Sequence, residues 1–368
     1  MSIASPPVVA GMLDAQARVD LALVRVVEEA RARSRSFGPD YDVMWTEIER
    51  SVRGGKRFRS AIVLGAHAAL GGPNPEAAVD VAAGFEMLHT AFLVHDDLID
   101  RDTVRRGTPN LAAVMGARAR RLGAPEDVAH RWSEAAAVLA GDLALSAAHR
   151  LIVGVDLPGD RRTALLDLLD ETLLISAGGE LADTAYGLGL HLPSLEEALL
   201  VCESKTAMYS FRAPLRAAGI LAEVDGAALA DLDHVGRLLG RSFQLVDDLL
   251  GVFAPESEIG KSNMSDLREG KHTALILHAR TMPVWTQIEG RLGDPHLDRR
   301  TADRMRRALA RSAAPERVAD QAREDLAGVE SRMLDARWTP ALRDFIGGMV
   351  DQLNGALDTV LGHVEAAR

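Results

Sequence analysis

The sequence contains a single cysteine, Cys202, in 368 residues. One thiol can form neither a disulfide framework nor a zinc site built on several cysteines, so both are excluded. Positive charge is also in the minority, because 42 lysines and arginines stand against 53 aspartates and glutamates and the formal net charge is −11. We therefore expect no nucleic-acid partner, since nonspecific binding to nucleic acid needs a basic surface.

Aromatic residues make up only 4% of the chain, while hydrophobic residues reach 47%. Such an aliphatic, alanine-rich composition favours helices over strands. Apolar residues recur at helical spacing, as at Leu165, Leu168 and Leu169, and no run alternates as a half-buried strand does. Glycine and proline interrupt the helical pattern without forming a flexible linker. We expect one all-α domain over residues 1–368, a large helical bundle, with a loose tail at residues 1–10.

Long uncharged runs are also missing. The longest lies between Arg59 and Glu76, and it is shorter than a membrane span and ends in a Gly-Gly-Pro sequence. No positive charge precedes Arg18, so the basic start of a secretory signal is lacking. We expect a cytoplasmic protein that does not span a membrane.

Only four of the 42 basic residues are lysines. Arginine is the basic residue almost everywhere else, so each lysine is a candidate for a position that needs a compact ammonium group. The alternative is that these lysines are ordinary surface residues. Each of the four stands beside a glycine, an acidic pair or a threonine, which favours a functional role. They are Lys56, Lys205, Lys261 and Lys271.

The acidic run HDDLID at residues 95–100 is the first candidate site. It follows an apolar helical stretch, and Asp96 and Asp100 are four residues apart on one helix face, with Asp97 beside them. Carboxylates this close repel one another unless a cation neutralises them. Mg²⁺, which prefers a few carboxylates together with phosphate oxygens and water, is the expected counterion, and an acidic surface turn is the alternative.

A second acidic pair, Asp247-Asp248, ends the apolar run FQLV, and the glycine-containing segments at 260–261 and 266–271 follow it. Glycine lets a backbone approach a phosphate closely, and a lysine neutralises its charge. Two acidic helix ends that face each other across a bundle cavity could bridge a diphosphate through metal ions.

Two basic clusters complete the set: GGKRFR at residues 54–59, which opens a helix, and Arg105-Arg106-Gly107, which follows the first acidic run. A helix start next to a glycine turn favours anions. Taken singly, each cluster is as compatible with solvated charge at a helix end.

Together these motifs closely resemble the trans-polyprenyl diphosphate synthases, the polyprenyl synthetase family, which add isopentenyl diphosphate to an allylic diphosphate. The resemblance runs from about Gly54 to Thr273, and the motifs are GGKRFR, HDDLID with RRG, Lys205-Thr206, FQLVDD, and GK with DLREGK. It implies the isoprenoid synthase bundle with a central active-site cavity, a homodimer and three Mg²⁺ ions.

The resemblance also implies a role for individual residues. The implied metal ligands, direct or outer-shell, are Asp96, Asp97, Asp100, Asp247, Asp248 and Asp266. The implied ligands of the allylic diphosphate are Arg105, Lys205, Lys261 and Lys271, and those of isopentenyl diphosphate are Lys56, Arg59, His89 and Arg106. Thr206 and Gln244 would lie near the reacting carbons, and Lys205, Thr206, Gln244, Asp96 and Asp247 would take part in catalysis.

Two positions depart from the family pattern. The second acidic motif often has a third aspartate where this chain has Gly251, and a middle helix often has glutamine where this chain has Gly179-Glu180. We expect the third metal ion to depend more on water as a result of the first change.

The hydrocarbon tail of the product should run alongside the helix before Asp96. One C5 unit is about as long as one helical turn, roughly 5 Å, so the side chains on this helix should limit the length of the product. Ala91 is small, and Phe92 and Met87 are larger. We expect the product pocket to pass Ala91 and to stop near Phe92 or Met87, which predicts a C20 product more than a C15 product. The alternative is that all three residues are ordinary core positions without a role in product length. We expect Ala91→Phe to shorten the product.

Two alternatives remain at this point. A class I terpene cyclase would share the fold and the first acidic motif, but Gly251 and Pro255 stand where its second metal motif needs Ser or Thr and Glu. A noncatalytic subunit that modulates another synthase would not need intact acidic and lysine sites.

Overall fold

Helices make up most of the part of the chain that this computed structural model describes, residues 12–259, 262–335 and 337–368. The α-helices are α1 Met12–Arg33, α2 Pro39–Val52, α3 Phe58–Ala69, α4 Pro75–Ile99, α5 Leu111–Arg121, α6 Glu126–Val153, α7 Gly159–Gly187, α8 Leu195–Val201, α9 Ala213–Leu221, α10 Gly226–Phe253, α11 Glu256–Ile259, α12 Ser265–Glu269, α13 Ala274–Arg280, α14 Arg299–Ala310, α15 Ala314–Met333 and α16 Pro340–Ala367. Short 3₁₀-helices lie at Arg35–Phe37 and Pro283–Gln287, and a π-helix at Cys202–Arg212 joins α8 to α9.

Within these described residues the only strands are β1 Val104–Arg105 and β2 Thr108–Pro109, which form a minimal antiparallel hairpin. Its two-residue loop has positive φ at both positions, 53° at Arg106 and 74° at Gly107. That geometry matches the twist of a tight hairpin. The all-α prediction is confirmed.

The chain folds into two compact units. The N-terminal unit contains the described residues up to Leu169 together with Ala217–Val224, and the C-terminal unit contains Asp170–Arg216 and Asp225–Arg368. Helices α7 and α9 each have residues in both units. The expectation of a single domain stays a prediction, and the loose tail expected at residues 1–10 lies outside the described residues.

In the N-terminal unit, α4 packs along α6 at positions where glycine permits close approach. A β-carbon on Gly84 of α4 would lie 2.7 Å from Ile152 Cδ1, and one on Gly141 of α6 would lie 2.0 Å from His95 Nε2. Real β-carbons do not make such contacts, so both glycines are required by the packing. The His95 contact fixes the last turns of α4, where the first acidic run begins.

Both α4 and α6 are long and apolar enough to cross a membrane, judged by length and composition. The apolar window of α4 is 78% buried inside the fold and that of α6 is 50% buried. Core helices of soluble proteins have the same composition, so two such helices are weak evidence of insertion. The expectation of a chain that does not span a membrane remains a prediction.

In the C-terminal unit, α10 is the central helix, and it packs on the π-helix, α15 and α16. It begins where the side chain of Asp225 accepts a hydrogen bond from the Ala228 amide, and this cap stabilises the helix start. The helix does not stop at the acidic pair Asp247-Asp248, as the sequence suggested, but continues to Phe253. The pair therefore has a regular helical backbone on both sides.

Candidate active site

The first acidic run occupies the last turn of α4, as predicted, and its three aspartates differ in exposure. Asp97 is buried, Asp96 is half-buried and Asp100, which caps the helix, is exposed. Because Asp96 and Asp100 are four residues apart, both carboxylates stand on the outer side of the turn. They are the two that a metal ion could reach from solvent.

Arg105, on β1, supplies the positive charge that this cluster needs. Its Nε donates to Asp97 Oδ1 at 2.7 Å and its Nη2 donates to Asp96 Oδ2 at 3.3 Å. Burial raises the pKa of Asp97, and the Arg105 guanidinium opposes that rise. The repulsion that the sequence assigned to a metal counterion is thus partly relieved by an arginine ten or fewer residues away.

A basic cluster surrounds His89, which lies on α4 two turns before the aspartates. Burial lowers the pKa of His89 well below its usual value, and the charges of Arg59, Arg106, Arg105 and Arg57 lower it further. The structure therefore brings together one neutral imidazole and several guanidinium groups from separate segments. Such a cluster suits an anion with several oxygens.

The loop before α3 touches the same cluster. A β-carbon on Gly55 would lie 2.8 Å from Arg106 Nη2, so the glycine lets the arginine lie against the loop backbone. Gly54 and Gly55 have φ of 82° and 87°, in the left-handed region that favours glycine. Lys56 follows them and is exposed.

The start of α3 is not open to an anion in the way that its sequence suggested. The buried carboxylate of Glu86 accepts a hydrogen bond from the Ser60 amide at 2.9 Å, and Arg57 Nη1 lies 3.6 Å from the same group. Glu86 therefore already satisfies this helix end, and an added anion would depend on the side chains rather than on the helix dipole. Nothing in the sequence pointed to Glu86, and Arg57 was included only as a member of the basic cluster GGKRFR, without a role of its own.

A cavity of about 250 Å³ opens beside Arg105 in the N-terminal unit. Its lining mixes basic, polar and apolar side chains. The lining residues are Arg50, Ser51, Arg53, Leu93, Val94, Asp97, Arg105, Arg106, Thr108, Pro109, Asn110 and Leu111.

The three residues assigned to product length lie on α4, which runs through the N-terminal unit. Met87 and Ala91 are fully buried, and Phe92 is half-buried. Ala91 is seven residues after Gly84 and four before His95, so it lies on the face of α4 that packs on α6. Phe92, one position on, points to a different face. Their role in product length stays a prediction.

In the C-terminal unit, Lys205 lies in the π-helix and is bound by two carboxylates of α7. Its Nζ is 3.0 Å from Glu180 Oε1 and 2.7 Å from Asp183 Oδ2. Irregular helical turns of this kind occur frequently at functional sites. The pairing gives Glu180, the unexplained departure from the family pattern, a physical partner.

Thr206 and Gln244 are joined directly, as parts of a short hydrogen-bonded chain. Thr206 Oγ1 donates to Gln244 Oε1 at 2.8 Å, and Gln244 Nε2 donates to Asp248 Oδ1 at 2.7 Å. The chain links the Lys205-Thr206 motif to the second acidic pair. The resemblance had implied that Thr206 and Gln244 lie near the reacting carbons and that Asp248 supports a metal ion, but it had not linked the three.

The two aspartates of the second acidic pair differ in exposure, as the aspartates of the first acidic run do. Asp247 is exposed, whereas Asp248 is buried and its pKa is raised well above the usual value, first by burial and then by the charges of Asp266 and Asp247. Lys271 Nζ lies 3.8 Å from Asp266 Oδ1 and 3.0 Å from Glu269 Oε2. Asp266 and Lys271 thus belong to this acidic region, while Gly260 and Lys261 lie outside the described residues.

The donor chemistry fits Mg²⁺ held by few protein ligands. No three His, Cys, Asp or Glu side chains converge on one point in the part of the chain that the structure describes. Each unit instead presents exposed or half-buried carboxylates: Asp96 and Asp100 in one, Asp247 in the other. Mg²⁺ is commonly bound by one or two carboxylates while substrate phosphates and water complete its octahedron.

Comparisons with known proteins agree with these features. The sequence pattern of the family described as polyprenyl synthetase matches residues 43–292. A geranylgeranyl diphosphate synthase of Methanosarcina mazei is 31% identical over 238 residues, which cover 65% of this chain and 67% of that protein. A (2E,6E)-farnesyl diphosphate synthase of Mycobacterium bovis is 35% identical over 237 residues, 64% of this chain and 58% of that protein. The chain thus spans about two thirds or less of the length of these relatives.

Two solved structures share the fold over most of their length. A geranylgeranyl pyrophosphate synthase from Corynebacterium glutamicum has a TM-score of 0.84 and 24% identity, and the match covers 91% of this chain and 96% of that one. A polyprenyl synthase from Caulobacter crescentus has a TM-score of 0.71 and 26% identity, with 94% and 98% covered. The helical bundle predicted from the sequence is therefore confirmed as a known fold.

Proposed function

The chain belongs to the polyprenyl synthetase family, and we propose that it is a prenyltransferase that condenses isopentenyl diphosphate with an allylic diphosphate to give geranylgeranyl diphosphate. The observation that carries this proposal is the grouping of side chains in each unit. Arginines surround His89 in the N-terminal unit, and in the C-terminal unit hydrogen bonds connect Thr206, the residue after Lys205, through Gln244 to Asp248. The comparisons give no support to a terpene cyclase or a noncatalytic subunit.

Magnesium is the proposed cofactor, and the Corynebacterium glutamicum structure, described as complexed with isoprenyl diphosphate and magnesium, supports it. Three ions are proposed. Asp96 and Asp100 would hold two of them at the first acidic run, with Asp97 in support. Asp247 would hold the third at the second run, with Asp248 and Asp266 in its outer shell. Bound there, Mg²⁺ would neutralise the charge of a diphosphate leaving group.

The reaction begins at the allylic C–O bond, which breaks heterolytically to give an allylic carbocation and a diphosphate. Lys205 and Arg105 would hold the diphosphate and stabilise the charge that it gains, and Lys261 and Lys271, which follow the second acidic pair in the sequence, would add to this. Positive groups fixed in place beforehand cost little reorganisation as the bond breaks, so they lower the barrier rather than only binding the substrate.

Isopentenyl diphosphate is held by the basic cluster of Lys56, Arg59, His89 and Arg106. Its double bond attacks the carbocation and forms the new C–C bond, and a proton is then lost to the departing diphosphate. Thr206 and Gln244 lie near the reacting carbons, where their mutual hydrogen bond fixes both side chains. The aliphatic helices that form the surrounding walls exclude water, which would otherwise quench the carbocation.

A homodimer is the proposed assembly. Leu174 and Leu181 on α7 and Leu188, directly after its end, are 77%, 74% and 71% exposed and recur every seven residues. A stripe of this kind is typical of a surface that another chain covers. Light scattering coupled to size-exclusion chromatography tests this: twice the chain mass is expected, and a monomer at micromolar concentration would contradict it.

The activity is tested by incubating the purified protein with MgCl₂, labelled isopentenyl diphosphate and, separately, dimethylallyl, geranyl and farnesyl diphosphate, then sizing the dephosphorylated products. A C20 alcohol is expected. A C15 alcohol would support the proposed reaction but would show that the product is C15 rather than C20. Cyclic hydrocarbon or no elongation with any of the three substrates would overturn the proposal.

A further inference from the structure

The ammonium of Lys205, on the π-helix, lies between two carboxylates of the neighbouring helix α7. Glu180 and Asp183 are three residues apart on α7, and both reach Lys205 Nζ, at 3.0 and 2.7 Å. The side chains of Lys205 and Glu180 are each 23% exposed, so solvent screens the pair only in part. One positive charge thus faces two negative charges.

The backbone holds these groups together. A β-carbon on Gly179 would lie 2.6 Å from the Lys205 amide nitrogen and 2.8 Å from Ser204 Cβ. The glycine therefore lets α7 approach the π-helix at the residue that carries the ammonium, and Glu180 comes directly after it. The same π-helix is backed by α10, where a β-carbon on Gly240 would lie 2.3 Å from Ala207 Cβ. Close packing on both sides leaves the ion pair little freedom to drift apart.

We propose that Glu180 is a positioning residue that weakens the site's affinity for the allylic diphosphate, because its carboxylate competes for the Lys205 ammonium. This inference rests on the proposed function, since it takes Lys205 to bind that diphosphate. An incoming anion must either displace Glu180 from Lys205 or lie beside an excess negative charge. Either event makes the free energy of binding the allylic diphosphate less favourable.

Asp183 makes the substitution of Glu180 informative. It is the nearer of the two carboxylates, so it keeps Lys205 in place when the charge on Glu180 is removed. Glu180→Gln keeps the size of the side chain and leaves one carboxylate for one ammonium. Asp183 then still holds the ammonium in place, but less negative charge lies beside it. A diphosphate bound to Lys205 therefore gains more binding free energy.

The experiment measures KM for the allylic diphosphate, KM for isopentenyl diphosphate and kcat for the wild type, Glu180→Gln and Glu180→Ala. Both variants are expected to lower KM for the allylic diphosphate by about two- to fivefold, the range of a partly exposed ion pair. KM for isopentenyl diphosphate and kcat are expected to stay close to wild type. A general structural effect would move all three constants together.

Glu171→Gln is the matched control, because Glu171 is on the same helix and pairs with Arg216 Nη1 at 2.8 Å rather than with Lys205. It is expected to leave KM for the allylic diphosphate unchanged. An unchanged or raised KM in Glu180→Gln would overturn the inference.

Binding of inorganic pyrophosphate in the presence of MgCl₂, measured by calorimetry, separates the two claims. If the wild type turns over no allylic substrate, the proposed function fails. Tighter pyrophosphate binding by Glu180→Gln than by wild type would still support the competition at Lys205. Equal or weaker binding by the variant would overturn it.

Discussion

A β-carbon on Gly251 would lie 2.4 Å from Asp266 Oδ2. Gly251 is one turn after Asp247 on α10, and Asp266 comes from α12. The carboxylate of Asp266 therefore fills the space that a third aspartate side chain of the second acidic motif would begin to occupy. A carboxylate that is 15 residues away in the sequence thus lies where the missing aspartate would begin, and the expectation that the third metal ion depends more on water stays a prediction.

Gly251→Ala is expected to push Asp266 away from Asp247 and Asp248. Because groups around a metal site orient its ligands, the Mg²⁺ concentration for half-maximal turnover should rise by about tenfold. Gly355→Ala is the control, since nothing lies within 4 Å of a β-carbon at that helical position. The control should keep the Mg²⁺ dependence of the wild type, and an unchanged dependence in Gly251→Ala would show that Asp266 has no part in metal binding.

Arg105→Ala is expected to destabilise the fold in a pH-dependent way. Burial already raises the pKa of Asp97, and losing the guanidinium raises it further, so at pH 8 the folded state carries a buried carboxylate without its counterion. As pH falls through that raised pKa the carboxyl becomes neutral, and the penalty disappears. We expect a loss of about 1–3 kcal/mol in the free energy of unfolding at pH 8.

Urea unfolding of wild type and Arg105→Ala at pH 8 and pH 5 measures this difference. Arg53→Ala is the control, since Arg53 makes an exposed ion pair with Glu49 at 3.0 Å. The loss in Arg105→Ala should shrink at pH 5. An equal loss at both pH values would mean that Arg105 acts through packing rather than through the charge of Asp97.

The length of the product provides a third test. Phe92→Ala should lengthen the product beyond C20, because the half-buried ring would no longer limit the chain, while Ala91→Phe is expected to shorten it. Ala91 is fully buried on the face against α6, and a large side chain forced into a packed core costs typically about 1–3 kcal/mol. The products are therefore sized together with a thermal melt of each variant. An unchanged C20 product from a folded Phe92→Ala variant would remove Phe92 from this role.

Local sequence patterns predicted most of the helical structure. Ser194 and Glu197 form a capping box, a local sequence signature, at the start of α8, and Thr206 and Gln244 lie together as the motifs implied. Contacts between residues distant in the sequence could not be predicted in the same way, because spacing says nothing about which side chains meet across helices. Asp266 against Gly251 and Glu180 on Lys205 are of this kind. Both involve a glycine that lets another segment approach, and such glycines are the signal by which they could have been suspected.

Calorimetric titration of inorganic pyrophosphate in MgCl₂ tests the central claim most directly, namely that each acidic run takes part in binding a diphosphate through magnesium. The proteins compared are the wild type, Asp96→Asn and Asp247→Asn, each checked for folding by circular dichroism. Each substitution alone is expected to weaken binding by at least about tenfold, because each removes one ligand charge from a metal site. Wild-type affinity for pyrophosphate in either variant would contradict the account.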